Sequence, residues 1–381
     1  TRIASWMLLA TMGQAGAFAQ DIRIDINQVY PEKTISLQKV ADVKYIPLET
    51  TDEVLFNGIV TNLSAEGIAG FNKKEGDILV FDGTGKAIAS FNHTGQGPNE
   101  YNKIYHLDVD WKQKEVYVQD NFRQKIRIYG LDGRHLRTID LQETMQEGDL
   151  YSFSDTHLIY YAKPKSKPVT PYEPVTLLSK KDASKVTLPF TKTDDNLVKA
   201  TGGPFGDMKM SAKNVNLLCK KGDEVYVNEV TADVIYRVES NHALTPVVER
   251  TPSYQDASGQ DFFLMLTGAN ARYYFFKRQQ ALLEFQGNAA TDTKSTYVAY
   301  DRKEKQLLNP TFTNEDYPSQ DIPMSKLLQC AGSANRCYLQ LEAFKLKEAL
   351  AEGKLKGTLK SIAEKLDEED NPVLMVVEFK K

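Results

Sequence analysis

A gapless internal repeat constrains this chain more than any other feature. The run Val116-Tyr117-Val118-Gln119-Asp120 is followed, ten residues after Val116, by Ile126-Arg127-Ile128-Tyr129, then by Leu131-Asp132-Gly133-Arg134, Leu136 and Ile139. A step back of 48 residues meets the same pattern: Ile68 matches Val116, and Ile78-Leu79-Val80-Phe81 matches Ile126 to Tyr129. Gly85-Lys86 then matches Gly133-Arg134, and Ile88 and Phe91 match Leu136 and Ile139. Apolar and polar residues alternate within each run, which is the period of a strand with one buried face. Asp132-Gly133 and Thr84-Gly85 supply residues that tolerate positive φ, as a tight hairpin demands. Each unit therefore predicts strand, turn, strand, tight turn, strand.

Further copies follow. Val225-Tyr226-Val227-Asn228-Glu229 precedes Ile235-Tyr236-Arg237-Val238, with a turn at Ser240-Asn241-His242. A weaker copy ends in Tyr297-Val298-Ala299-Tyr300-Asp301 before the turn Lys303-Glu304-Lys305, and Leu158-Ile159-Tyr160-Tyr161 with Val175-Thr176-Leu177-Leu178 hints at another. A period of this size, with several strands per unit, fits a propeller blade of four strands in ~40–50 residues. The 19 tyrosines and 17 phenylalanines suit pleated, half-buried surfaces. Six units fit once two insertions, 163–174 (rich in proline) and 192–212 (with Gly202-Gly203-Pro204), are set aside. The expectation is an all-β, six-bladed β-propeller over 41–381, preceded by an extension at 20–40. Residues 341–352 and 359–369 have helical composition, separated by Gly353 and Gly357. The apolar run 373–379 is expected to close the ring against 43–48, which removes a free sheet edge.

The first 19 residues read as an address. Arg2 precedes an apolar run from Ile3 to Ala10, and Ala17-Phe18-Ala19 precedes Gln20-Asp21. This is the layout of a cleaved secretory signal, and the run is too short for a membrane span. A periplasmic or extracellular protein is expected, with no membrane-spanning segment in its mature part. No cysteine follows the cleavage site, so a lipid anchor is not expected. The formal net charge of −4 and pI of about 5.9 provide no basic footprint for nucleic acid. The chain is expected to be a monomer.

At Gly95-Gln96-Gly97-Pro98-Asn99-Glu100-Tyr101 the chain resembles a family: the six-bladed β-propellers abundant in secreted proteins of Bacteroides-type bacteria, relatives of the NHL-repeat propellers. Leu48-Glu49-Thr50 and Glu368-Glu369-Asp370-Asn371-Pro372-Val373-Leu374 carry the same resemblance, which covers about 41–381. It implies the fold and export, and no particular activity. Within the motif, Gly95, Gln96, Gly97, Pro98, Glu100 and Tyr101 read as a structural connection between blades, since turn chemistry accounts for the glycines and proline. A ligand loop is the alternative.

The candidate binding residues are Asp120, Asn121, Phe122 and Arg123, placed at the end of an inner strand, with Asn72 and Glu229 in the register of Asp120 in other copies. A ring of such oxygens at a channel mouth suits calcium or a polar ligand; the alternative is carboxylates that cap local turns. Cys330 and Cys337 flank a turn-like spacer and either pair or remain thiols, while Cys219 reads as a buried strand residue. The five histidines are scattered, and no nucleophile elbow is present. Trp111 reads as a packing residue in a hairpin. The expectation is a non-catalytic binding or interaction module for a glycan, a peptide or an envelope protein. The alternative is a metal-assisted hydrolase or lyase working at the central channel.

Overall fold

The computed structural model describes residues 22–381 apart from 121–122, 142–143, 164–172, 192–196, 202–207, 212–216, 254–261, 281, 287–288, 291–294, 328, 330, 332 and 334. The signal-like segment, most of the proline-rich insertion, Asn121, Phe122 and Cys330 therefore lie outside the described residues.

The repeat unit folds into the expected strands and hairpins, but its second and third strands are buried on both faces, between neighbouring blades, and not on one. Blade 1 is the antiparallel sheet Ile59–Leu63, Gly67–Phe71, Ile78–Asp82, Ala87–Phe91; blade 2 is His106–Asp110, Glu115–Asp120, Lys125–Gly130, His135–Asp140. The residues aligned by the 48-residue step form the second, third and fourth strands of the two blades. Gly85 and Gly133 turn their hairpins at φ +92° and +80°. Blade 3 comprises Thr144–Ser152, His157–Lys163, Val175–Ser179 and Lys185–Thr187, and blade 4 comprises Leu218–Lys221, Glu224–Val227, Val234–Val238 and Leu244–Thr251. Blade 5 comprises Phe262–Ala269, Tyr273–Gln280, Ser295–Asp301 and Gln306–Asn314. The first strands of blades 1 to 4 touch one another in succession and so face the axis.

Blade 6 closes the ring from both ends of the chain. Val373–Phe379 pairs with Arg336–Leu341 on one side and with Ala41–Pro47 on the other, antiparallel in both cases. The buried apolar residues show the same cyclic order. Separate clusters lie between blades 1 and 2, 2 and 3, 3 and 4, 4 and 5, 5 and 6, and 6 and 1. The molecule is thus a six-bladed β-propeller whose core is distributed over its blade interfaces.

Three additions decorate the ring. Ile22–Asp25 and Glu32–Ser36 add to the outer strands of blades 4 and 5 in parallel, covering edges that would otherwise be open. Part of the second insertion is strand: Leu197–Thr201 and Met208–Ser211 form a small sheet with Leu282–Gln286 and Ala289–Ala290. The C-terminal helices are shorter than their composition suggested, at Ala343–Ala351 and Gly357–Ala363, and bury Leu346, Ala349, Leu359 and Ala363 against the interface of blades 5 and 6.

The two segments that resemble a family at either end of the chain meet in space. Asn371, 4% exposed, donates from Nδ2 to Glu49 O (2.7 Å) and Val54 O (2.8 Å), and its Oδ1 accepts from Phe56 N at 2.6 Å. Its backbone N–H donates to Thr50 Oγ1 at 2.7 Å, and Leu48 N–H donates to Pro372 O. One buried amide thus fixes where blade 6 hands over to blade 1. Asn371→Ala strands several buried partners, so it is expected to cost at least about 3 kcal/mol in urea denaturation. A loss within about 0.5 kcal/mol, the ordinary surface value, would remove this residue from the closure.

Candidate functional site

The sequence-predicted candidates divide into two groups, and neither forms a ring. Asp120 ends the second strand of blade 2. Asp110, at the end of the innermost strand, pairs in register with Glu115, so Asp120 lies at the opposite end of the blade. Its Oδ2 accepts from Asn102 N (3.0 Å) and its Oδ1 from Arg123 N (3.3 Å), and the fully buried Arg127 lies 4.0 Å away. Asn72 binds Asn57 N, Leu55 O and Asp77. Glu229 accepts from Tyr161 OH at 2.7 Å and from Thr231. Each is engaged within its own neighbourhood, with no hydrogen bond or ion pair linking any two of the three. Among the described residues no group of three or more His, Cys, Asp or Glu side chains is placed to hold a metal ion.

Arg123 and the G-Q-G-P-N-E-Y connection form one assembly. Arg123 donates to Gly97 O (3.1 Å), Gly95 O (3.2 Å) and Gln96 Oε1 (2.8 Å). Arg127 donates to Pro98 O and Tyr129 OH to Asn99 O, both at 2.8 Å. Glu100 Oε2 accepts from Gly97 N at 2.6 Å, and Tyr101 OH donates to Gly76 O at 2.7 Å. Five consecutive residues of the connection are therefore held by side chains of blade 2, which ties the crossover from blade 1 to its successor.

At the other end of the blades the first hairpin loops converge on the axis. They line a cavity of about 440 Å³ formed by 64–66, 109–111 and 152–155, with Lys220 and Asp223 from blade 4 and Asn335, Arg336 and Glu378 from blade 6. Beneath it lies a buried polar network. Asp108, 0% exposed, accepts from Asn62 Nδ2 of blade 1 (2.7 Å) and from Ser152 N of blade 3 (2.8 Å), with Lys220 Nζ of blade 4 at 3.4 Å. Asn62 Oδ1 accepts from the Trp111 indole at 2.8 Å. Asp110 binds Lys180 Nζ at 2.6 Å, and that ammonium also donates to Ser152 Oγ and Ser154 O. Burial works to raise the Asp110 pKa, but the Lys180 bond and its other hydrogen bonds outweigh it and hold the carboxyl below its ordinary range. Ala331, entering from the blade 6 side, forms parallel bridges to both Asn62 and Gly222, and so crosses between blades 1 and 4.

A family model, that of the domain of unknown function DUF4934, matches residues 21–378. The chain belongs to this family. A Bacteroides fragilis NCTC 9343 protein described as exported is similar in structure: TM-score 0.65, 16% identity, covering 94% of this chain and 99% of its own. A Bacteroides vulgatus member of the DUF4221 family gives a TM-score of 0.49 at 8% identity, over 90% of this chain and 98% of that one. No curated protein matches. The fold is what this DUF4934 chain shares with the Bacteroides fragilis protein.

The mouth of the DUF4934 propeller is charged but mostly self-satisfied. Asp110 is answered by Lys180, Asp155 by Lys112 and Glu378 by Arg336. Among the described residues Glu66 and Asp223 have no ion-pair partner. Trp111 and Phe153 contribute half-buried aromatic faces. Trp111 also packs over Gly67, where an added Cβ would meet its ring at 2.4 Å, so a packing role and a place in the mouth coincide. Cys337 is a buried thiol whose Sγ accepts from Asn270 Nδ2 at 3.9 Å; burial pushes it up to about 12, so it is not a nucleophile at neutral pH. None of Asn62, Asp108, Ser152 or Lys180 was singled out from sequence, although Asp108-Val109-Asp110 is an acidic pair inside an apolar strand.

His106 opens the innermost strand of blade 2, two residues before Asp108, and its buried Nε2 has no hydrogen-bond partner. Burial, aided by Lys220 and opposed by Asp108, lowers its pKa from 6.5 to about 4. The folded chain thus keeps His106 neutral where the unfolded chain protonates it, so stability is full above pH 6.5 and is lost as pH falls toward 4. His106→Phe is expected to flatten that slope by at most about 3 kcal/mol. Urea midpoints at pH 7 and pH 4.5 for both proteins check this; equal losses would contradict it.

Proposed function

We propose that this chain is an exported binding module whose ligand, a glycan or a peptide, docks in the axial mouth built by the first hairpins of blades 1 to 3 with residues of blades 4 and 6. The observation that carries the reading is the contrast between what is fixed and what is free in that mouth. Asp110, Lys180, Ser152, Asn62 and Trp111 are locked together by hydrogen bonds. Glu66 and Asp223 remain as acceptors beside the aromatic faces of Trp111 and Phe153. A preorganised wall lowers the entropic cost of binding, and loops on a rigid frame are where binding residues gather. Aromatic faces suit the C–H surface of a sugar ring, and carboxylates accept from its hydroxyls, which favours a glycan over a peptide. The export reading rests on the charged, apolar and small-residue layout of residues 1–19.

The purified chain, probed by a glycan array and a peptide library with calorimetry on the hits, is expected to yield a ligand from one of these classes. Phe153→Ala and Asp223→Asn are each expected to weaken it about tenfold, the scale of one lost aromatic or charge-assisted contact, with Asp223→Asn leaving thermal stability unchanged. No ligand from either class, or binding indifferent to both substitutions, would overturn the proposal.

A further inference from the structure

A second cavity, of about 240 Å³, lies where the innermost strands of blades 4 and 5 meet the turn Met324–Lys326, with Leu327 and Gln329 beside it. Its described lining holds two lysines, Lys221 and Lys277, and no carboxylate. Lys277 sits in the second strand of blade 5, in register with Met265 on one side and Tyr297 on the other. Its ammonium donates to Gln279 Oε1 at 2.8 Å, and Lys221 Nζ donates to Gln329 O at 3.2 Å. Both oxygens are neutral, and among the described residues neither lysine has an ion-pair partner. Burial pulls Lys277 below the ordinary lysine range. A partly desolvated cation held only by neutral acceptors is an arrangement that an anion stabilises.

The rest of the lining says what kind of anion fits. Met265, Met324 and Leu327 are 4%, 4% and 5% exposed and form an apolar floor, with Tyr297 half-buried beside them. Lysine ammoniums are point charges, and the described lining has no arginine fork of the sort that favours phosphate. The volume is below that of pockets for drug-sized ligands. We propose that this cavity binds a small organic monocarboxylate, its head group on Lys277 with Lys221 adding charge, and its apolar part against Met265, Met324 and Leu327. Its described lining shares no residue with that of the axial mouth.

Hexanoate, its uncharged counterpart hexanamide, and inorganic phosphate test this by calorimetry on the purified chain. Hexanoate is expected to bind saturably, with hexanamide and phosphate weaker by about tenfold or more, since a charge-assisted bond is lost in one and the apolar contact in the other. Lys277→Met is expected to weaken hexanoate by a similar factor, and Lys277→Arg to restore most of it. Absence of hexanoate binding, equal binding of hexanamide, or binding unaffected by Lys277→Met would each overturn the proposal. The acid-against-amide comparison uses the unaltered protein, so it stands even if a variant fails to fold.

Discussion

The Asp108 carboxylate is the interaction on which the inner ring depends. It is fully buried on the innermost strand of blade 2, and its two oxygens receive donors from blades 1 and 3, with the blade 4 ammonium of Lys220 close by. A buried charge is tolerated only when paired and hydrogen-bonded, and this one is satisfied by groups from three other blades. Apolar clusters between blades supply most of the cohesion, but they are non-directional. The carboxylate adds direction: Asn62, Ser152 and Lys220 must each present a donor to one point, which fixes how four inner strands sit around the axis. Trp111 and Lys180 extend the same network upward, so the wall of the mouth inherits its geometry from Asp108.

Closure solves a different problem. A propeller whose last blade came from one end of the chain would leave its first and last blades joined by apolar contact alone. Here Ala41–Pro47 completes a sheet whose other strands come from the C-terminus, so opening the ring must break backbone pairing. Asn371 fixes the register of that joint, Tyr338 OH adds a bond to Val60 O at 2.9 Å, and Ala331 ties blade 1 to blade 4 across the axis. The parallel strands from the N-terminal segment protect outer edges on blades 4 and 5.

The parts of the fold legible in sequence were those whose apolar positions recur from blade to blade. The second and third strands of blades 1 and 2 are buried almost throughout and the fourth only in part, but their apolar positions recur at one spacing with a glycine in each tight turn, so the repeat could be read directly, as could the apolar closing strand. The innermost strands escaped the repeat because polar residues face the axis: His106-Leu107-Asp108-Val109-Asp110 and Leu218-Cys219-Lys220-Lys221 mix charge into short apolar runs. The same property hid the candidate site, whose residues are scattered over five blades and related only by the ring. Asp120, Asn72 and Glu229 stood out because they share a register, yet each is engaged by neighbours of its own, Glu229 by Tyr161 of the adjacent blade 3, and shared register at a strand end reflects a common turn as readily as a common ligand. Arg123 looked like a ligand contact and spends its guanidinium on the carbonyls of the blade connection.

The measurement that bears most directly on this account is the stability of Asp108→Ala by urea denaturation. Removing the carboxylate leaves Asn62, Ser152 and Lys220 with unmatched donors in the interior, and the predicted loss is about 3–5 kcal/mol. A loss below about 1 kcal/mol would contradict the claim that this residue holds the inner strands together.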